Sequence, residues 1–145
     1  MKLKKNNLIL LSILLFSFLG FLDATYLAIL HYRNAFPPCS ITSGCETVLT
    51  SSYSTLFGVP IAFIGALYYL GLIVLSLFLL TNPKRMFLNG LLFLSTSGAL
   101  ISLVLLYIQF FILKAYCQYC LISELISFLI IGLAFLFLHL QSNKG

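Results

Sequence analysis

The chain is short of charge. Of its 145 residues only 8% are Asp, Glu, Lys or Arg, three acids against eight bases, and there are two His and no Trp. A soluble domain carries roughly 25% charged residues, so this composition cannot solvate a globular surface. With 61% of the chain apolar, intrinsic disorder is excluded as well. Eight bases spread along an apolar chain do not make the dense basic face that a phosphate backbone requires, so no nucleic-acid partner is expected. The sequence also lacks internal repeats, Gly-rich phosphate loops, low-complexity segments and the period-two alternation of strands. Long apolar runs are what it has.

Four such runs, at about 8–30, 59–80, 87–113 and 117–140, each exceed the roughly 20 residues needed to cross a bilayer core. In lipid only helices or closed barrels satisfy the backbone. The sequence therefore predicts an all-α, polytopic membrane protein. It is a single membrane domain over 1–145, a bundle of four transmembrane helices, with an outer loop at about 31–58 carrying two cysteines. Lys2, Lys4 and Lys5 ahead of the first run suit a signal peptide. That run is longer than the usual apolar core of one and no small-x-small cleavage site closes it, so it is expected to stay as a span.

Four spans put both termini on one side together with the turn around Pro83. That side collects Lys2, Lys4, Lys5, Lys84, Arg85 and Lys144; the other holds Arg33 and Lys114. The bias predicts a cell-membrane protein with both termini cytoplasmic and the 31–58 loop outside.

Every cysteine then faces outward. Cys39 and Cys45 lie in the loop, and Cys117 and Cys120 open the fourth span. Four thiols in the oxidising compartment point to disulfide chemistry, with three pairings open. Cys117-Gln118-Tyr119-Cys120 has the spacing that brings two sulfurs onto one helical face. At a first turn, unpaired N–H groups and the helix dipole favour a thiolate, and Lys114 adds positive charge nearby. The ring Cys39-Ser-Ile-Thr-Ser-Gly-Cys45 is small, largely polar and flexible, suited to swing between an outside partner and the helix-borne pair. Zinc is disfavoured by the wide first spacing and the lack of a His beside either pair, so no metal is expected. Inert bridges bracing a non-enzymatic scaffold or small transport subunit are the reading of a different class.

Two acids lie within the spans, where an ionisable group costs roughly 2.5–3.5 kcal/mol and marks a functional candidate. Glu124 falls on the stripe Cys117, Cys120, Glu124, Ser127. Asp23 lies at a similar depth below the outer edge. Each could flank a redox ligand, or simply bond a neighbouring hydroxyl. Gly65, Ala66, Gly71, Gly98 and Gly132 read as close helix packing. Tyr68, Tyr69 and Tyr107 read as packing or interfacial anchors, and His31 and His139 receive no role.

The loop pair Cys39 and Cys45, the stretch Glu46-Thr-Val-Leu-Thr-Ser51-Ser-Tyr53, the stretch Leu56-Phe57-Gly58-Val59-Pro60-Ile61-Ala62 and the final Cys117-Gln-Tyr-Cys120 occur in that order. The order resembles the vitamin K epoxide reductase family, in its bacterial branch of quinone-coupled thiol oxidases, over nearly the whole chain. The other four-helix quinone-linked oxidases, DsbB-like, carry their C-x-x-C in the first outer loop, whereas here it opens the fourth span. The resemblance implies a membrane quinone, of menaquinone or ubiquinone type, as electron acceptor at the outer end of the bundle. Cys39 would take electrons from a thioredoxin-like (DsbA-like) extracytoplasmic protein, separate because no such domain is fused here. Cys45 would pass them to Cys117, and Cys120 would reduce the quinone. Ser51 matches a family serine near quinone and loop, Glu124 stands where some members bond the quinone through a Tyr, and Phe57 joins them as a quinone-side candidate. Epoxide reduction is left open by the same resemblance.

Overall fold

The computed structural model describes residues 2–143. Four long helices form it: α1 (Lys2–Tyr32), α3 (Ile61–Thr81), α4 (Arg85–Tyr107) continuing into a π-helical segment (Ile108–Leu113), and α5 (Gln118–Ser142). Between α1 and α3 lie a short α2 (Cys45–Thr50), a 3₁₀ turn (Ser52–Ser54) and two-residue strands β1 (Thr55–Leu56) and β2 (Val59–Pro60). All four long helices are apolar and long enough to cross a membrane. The molecule is a four-helix membrane bundle.

The helices close into a ring, α1 against α3 and α5, and α4 against α3 and α5. The inward stripe of α1 is Ile13, Ser17, Gly20, Ala24 and Leu27, at steps of four and three; that of α3 is Ala66, Tyr69, Leu72, Ser76 and Leu79. Outward faces carry exposed Leu, Ile and Phe, such as Leu15, Phe18, Leu67, Leu77, Leu100 and Leu125. Lipid is as apolar as the core, so the association rests on close packing rather than on hiding oil from water. Small side chains line that packing: Ser17, Ser76, Ser95 and Ala134 are fully buried.

Boundaries differ from the sequence expectation where local chemistry intervenes. The second span starts at Ile61 because Val59 and Pro60 pair with Leu56 and Thr55 in an antiparallel hairpin. Its two-residue turn, Phe57-Gly58, has φ +51° and +80°, the both-positive φ pair of a type I′ hairpin turn. Pro60, with no N–H to lose, then caps α3. Helix α1 begins well before residue 8, since Lys and Asn tolerate a helix outside the apolar slab. It ends where Ala35 N donates to Leu30 O across Asn34 in the left-handed region. All four cysteines, the hairpin and α2 gather at one end of the bundle; the Asn82–Lys84 turn lies at the other. Of the basic residues expected at that other end, Lys144 lies outside the described residues.

Candidate functional site

At the thiol end, Cys39 and Cys45 are disulfide-bonded, with Cα atoms 6.3 Å apart. Pro37-Pro38 straightens the approach and α2 starts at Cys45 itself, whose side chain is buried. The ring is docked on the joint between the π segment and α5. Ile41 N donates to Gln118 Oε1 at 3.0 Å, and Tyr119 OH donates to Pro38 O at 3.2 Å. Gly44 seals the contact: a Cβ there would come 2.5 Å from Tyr116 N. Only glycine lets the loop main chain lie on the joint main chain.

Across that joint sit the other two sulfurs. Cys117 is the N-cap of α5, and its Sγ accepts the N–H of Cys120 at 3.4 Å. The two Sγ atoms are 2.8 Å apart and unbonded. The hydrogen bond from Cys120 is the main cause that holds the Cys117 thiol below its ordinary range; backbone N–H groups of Cys120 and Tyr119 add to it, against burial and the charge of Asp23. Lys114, put forward from the sequence, is not among these causes. Helix-end N–H groups and a neighbouring thiol suffice to favour a thiolate.

Cys120 is half-buried and forms part of the wall of an apolar cavity of about 190 Å³ between the four helices and α2. A void of roughly 150 Å³ accepts a benzene-sized ring. Asp23, Tyr68, Tyr69, Ser123, Glu124 and Ser51 also line it, with His31 and Leu49. Tyr69 OH is spent on Ser123, 2.6 Å from its carbonyl and 3.0 Å from its Oγ. Of the six buried side-chain polar atoms without a partner among the described residues, three belong to residues of this lining: Tyr68 OH, Asp23 Oδ2 and Glu124 Oε2. Unpartnered groups in an apolar chamber suit a ring ligand bearing oxygen atoms.

The site residues expected from the sequence divide here. The loop pair docks beside the helix pair: Gly44, next to Cys45, lies against the main chain of Tyr116, next to Cys117. Ser51 lines the cavity, its Oγ donating to Val48 O at 2.7 Å. Glu124 and Asp23 share one chamber, as their matching depth suggested. Phe57 does not reach it. It stands at the tip of the hairpin turn, 98% exposed, because a two-residue turn projects its central side chains away from the bundle. Tyr68 and Tyr69, read as packing or anchors, do pack in the core and also wall the cavity; a Cβ on Gly98 would strike the Tyr68 ring and one on Gly20 the Tyr69 ring. Gly132, expected at a close contact, faces open space. Gln109 was missed altogether. A lone amide in the run Val104–Leu113 was the available signal, and it is only 3% exposed.

A thiol pair on the edge of an apolar chamber, with a disulfide-bonded pair in a loop docked beside it, defines a four-helix membrane protein with two cysteine pairs at one end. The sequence pattern of the vitamin K epoxide reductase family matches residues 11–135, and the chain belongs to that family. It is accordingly a membrane oxidoreductase of the kind that couples thiols to a quinone.

Proposed function

We propose that this protein oxidises a thioredoxin-like extracytoplasmic partner and passes the electrons, through its own cysteines, to a membrane quinone of the menaquinone or ubiquinone type, supporting disulfide formation. A partner thiolate attacks Cys39 and breaks the Cys39–Cys45 bond, and the partner's second thiol resolves the mixed disulfide, so the partner leaves oxidised and Cys39 and Cys45 are thiols. Cys45 then attacks the Cys117 sulfur of a Cys117–Cys120 disulfide, releasing Cys120. Cys39 then attacks Cys45, re-forming the loop disulfide and leaving Cys117 and Cys120 as thiols. The pair gives up two electrons and two protons as its own disulfide closes. A quinone supplies the two-electron, two-proton acceptor for that closure and leaves as the hydroquinone. Atoms and charge balance without any further oxidant.

The observation that carries this reading is that Cys120 belongs to both the sulfur pair and the cavity wall. The unpartnered Tyr68 hydroxyl can donate to a carbonyl oxygen of the ring, and the Glu124 and Asp23 carboxyl groups stand ready to exchange protons at the same wall. Ser51 supports the mouth through its bond to α2. The reading places the cysteine end outside the cell and both termini in the cytoplasm, as the charge bias favours.

The test mixes purified protein, a reduced thioredoxin-like substrate and a quinone, and follows quinone absorbance. Steady reduction is expected, lost in Cys120→Ala. A Cys120→Ala protein as fast as wild type would overturn the assignment.

A further inference from the structure

Gln109 uses all its acceptors and one donor at the centre of this end of the molecule. Its main-chain carbonyl accepts from Lys114 N and from Ala115 N, the latter at 3.2 Å, closing the joint in π register. Its Oε1 accepts from Cys117 N at 3.1 Å. Its Nε2 donates to Glu124 Oε1 at 2.9 Å. The network fixes which way the amide faces, since only oxygen can accept from an N–H and only nitrogen can donate to a carboxyl oxygen that has no other partner.

Neither partner is held by anything else that would do the same work. Cys117 is an N-cap with φ −101° and ψ 114°, so its N–H lies outside the ladder of α5. The Glu124 carboxyl has this one hydrogen bond; its other oxygen is buried without a partner, on a residue that lines the cavity. π-helical turns recur at functional sites because they move a side chain out of the regular helical register. Here the turn delivers one buried amide between the sulfur-bearing cap and the ligand wall.

We propose that Gln109 is a positioning residue: it holds the Cys117 main chain with its oxygen and the Glu124 carboxyl with its nitrogen, keeping the sulfur pair and the ligand wall in one register. The proposal rests on the reading of the cavity as the quinone site. Losing the amide frees the cap, so the two sulfurs meet less often and their disulfide weakens. It also frees the carboxyl, so the ring is bound less tightly.

The test has two readouts. In a Cys39→Ala/Cys45→Ala background, the Cys117–Cys120 pair is equilibrated with dithiothreitol. Gln109→Leu is expected to lower the equilibrium constant for disulfide closure about tenfold, the effect of one lost buried hydrogen bond. Glu124→Met is expected to stay within about twofold there, because it leaves the bond to Cys117 N in place. In the full chain, Gln109→Leu and Glu124→Met each raise the quinone KM, and the double variant raises it no further, since one arm serves both. A Gln109→Leu protein with an unchanged closure constant, or KM effects that multiply in the double variant, would overturn the proposal. Should Gln109→Leu fail to fold, Gln109→Asn, one methylene too short for either partner, faces the same two expectations. If wild type reduces no quinone, the functional reading falls, and the dithiothreitol equilibrium still decides the sulfur arm.

Discussion

Cys117 and Gly44 show how much of the chemistry is set by single positions. The Cys117 thiol ionises below its ordinary range chiefly because Cys120 donates to its sulfur. A depressed folded value means that this group stabilises the fold above the ordinary thiol range and stops doing so as pH falls through the folded value. Cys120→Ala removes the main donor, so the ultraviolet absorbance of the Cys117 thiolate is expected to appear at higher pH than in wild type. An unmoved titration would count against the sulfur–sulfur bond as the cause. Gly44→Ala is expected to lift the loop off the Tyr116 main chain and slow loop-to-helix exchange about tenfold or more, read by stopped-flow mixing with a reduced partner. Quinone reduction by dithiothreitol, which needs no docked loop, stays near wild type in that variant. The residues legible from the sequence by type were those unusual for lipid, the thiols and acids, whereas Ser51 was named from the family resemblance alone. Tyr68, Tyr69 and Gln109 were not legible, because aromatic and amide side chains are ordinary in bundle interiors and only their aim makes them part of a site.

At the scale of elements, the sequence gives spans well and joints poorly. Apolar length identifies a helix in lipid with little ambiguity, so the four runs map onto α1, α3, α4 with its π extension, and α5. The hairpin straddled the edge of the second run, with only β2 inside it, and four residues of strand leave no periodicity to read. The π register of Ile108–Leu113 was equally invisible, being a shift of hydrogen bonds that any apolar side chain accepts. The hairpin offers its own test. Phe57 occupies a left-handed conformation that strains an L residue by roughly 1–2 kcal/mol, while its ring packs on nothing in the protein. Phe57→Gly is expected to leave the quinone KM within about twofold and to raise thermal stability slightly, by relief of that strain. A several-fold rise in KM would return Phe57 to the ligand site.

At the scale of the whole molecule, the four cysteines and the cavity lie at one end of the bundle and the Asn82–Lys84 turn at the other. The cavity is walled from every long helix, so a ligand in it contacts the whole ring at once. Binding to the folded state alone should raise the melting temperature in detergent. At a quinone concentration about a hundredfold above Kd the gain is roughly 2.7 kcal/mol. Tyr68→Phe and Glu124→Met should lessen the shift at fixed quinone, whereas Phe57→Gly should not. Sidedness has a separate test: a membrane-impermeant thiol reagent applied to intact cells after reduction is expected to label the loop cysteines. Labelling only after lysis would reverse the orientation.

The three-residue joint Lys114–Tyr116 has a consequence of its own. Its main chain bears the docked loop on one side and is bonded to the Gln109 carbonyl on the other, so the loop and the wall of the cavity brace against the same three residues. On the proposed reading nothing larger than a side chain has to travel to carry current across the interface. Turnover should then stay fast even when the surrounding helices are immobilised in a stiff, gel-phase bilayer, provided the oxidant itself can still diffuse.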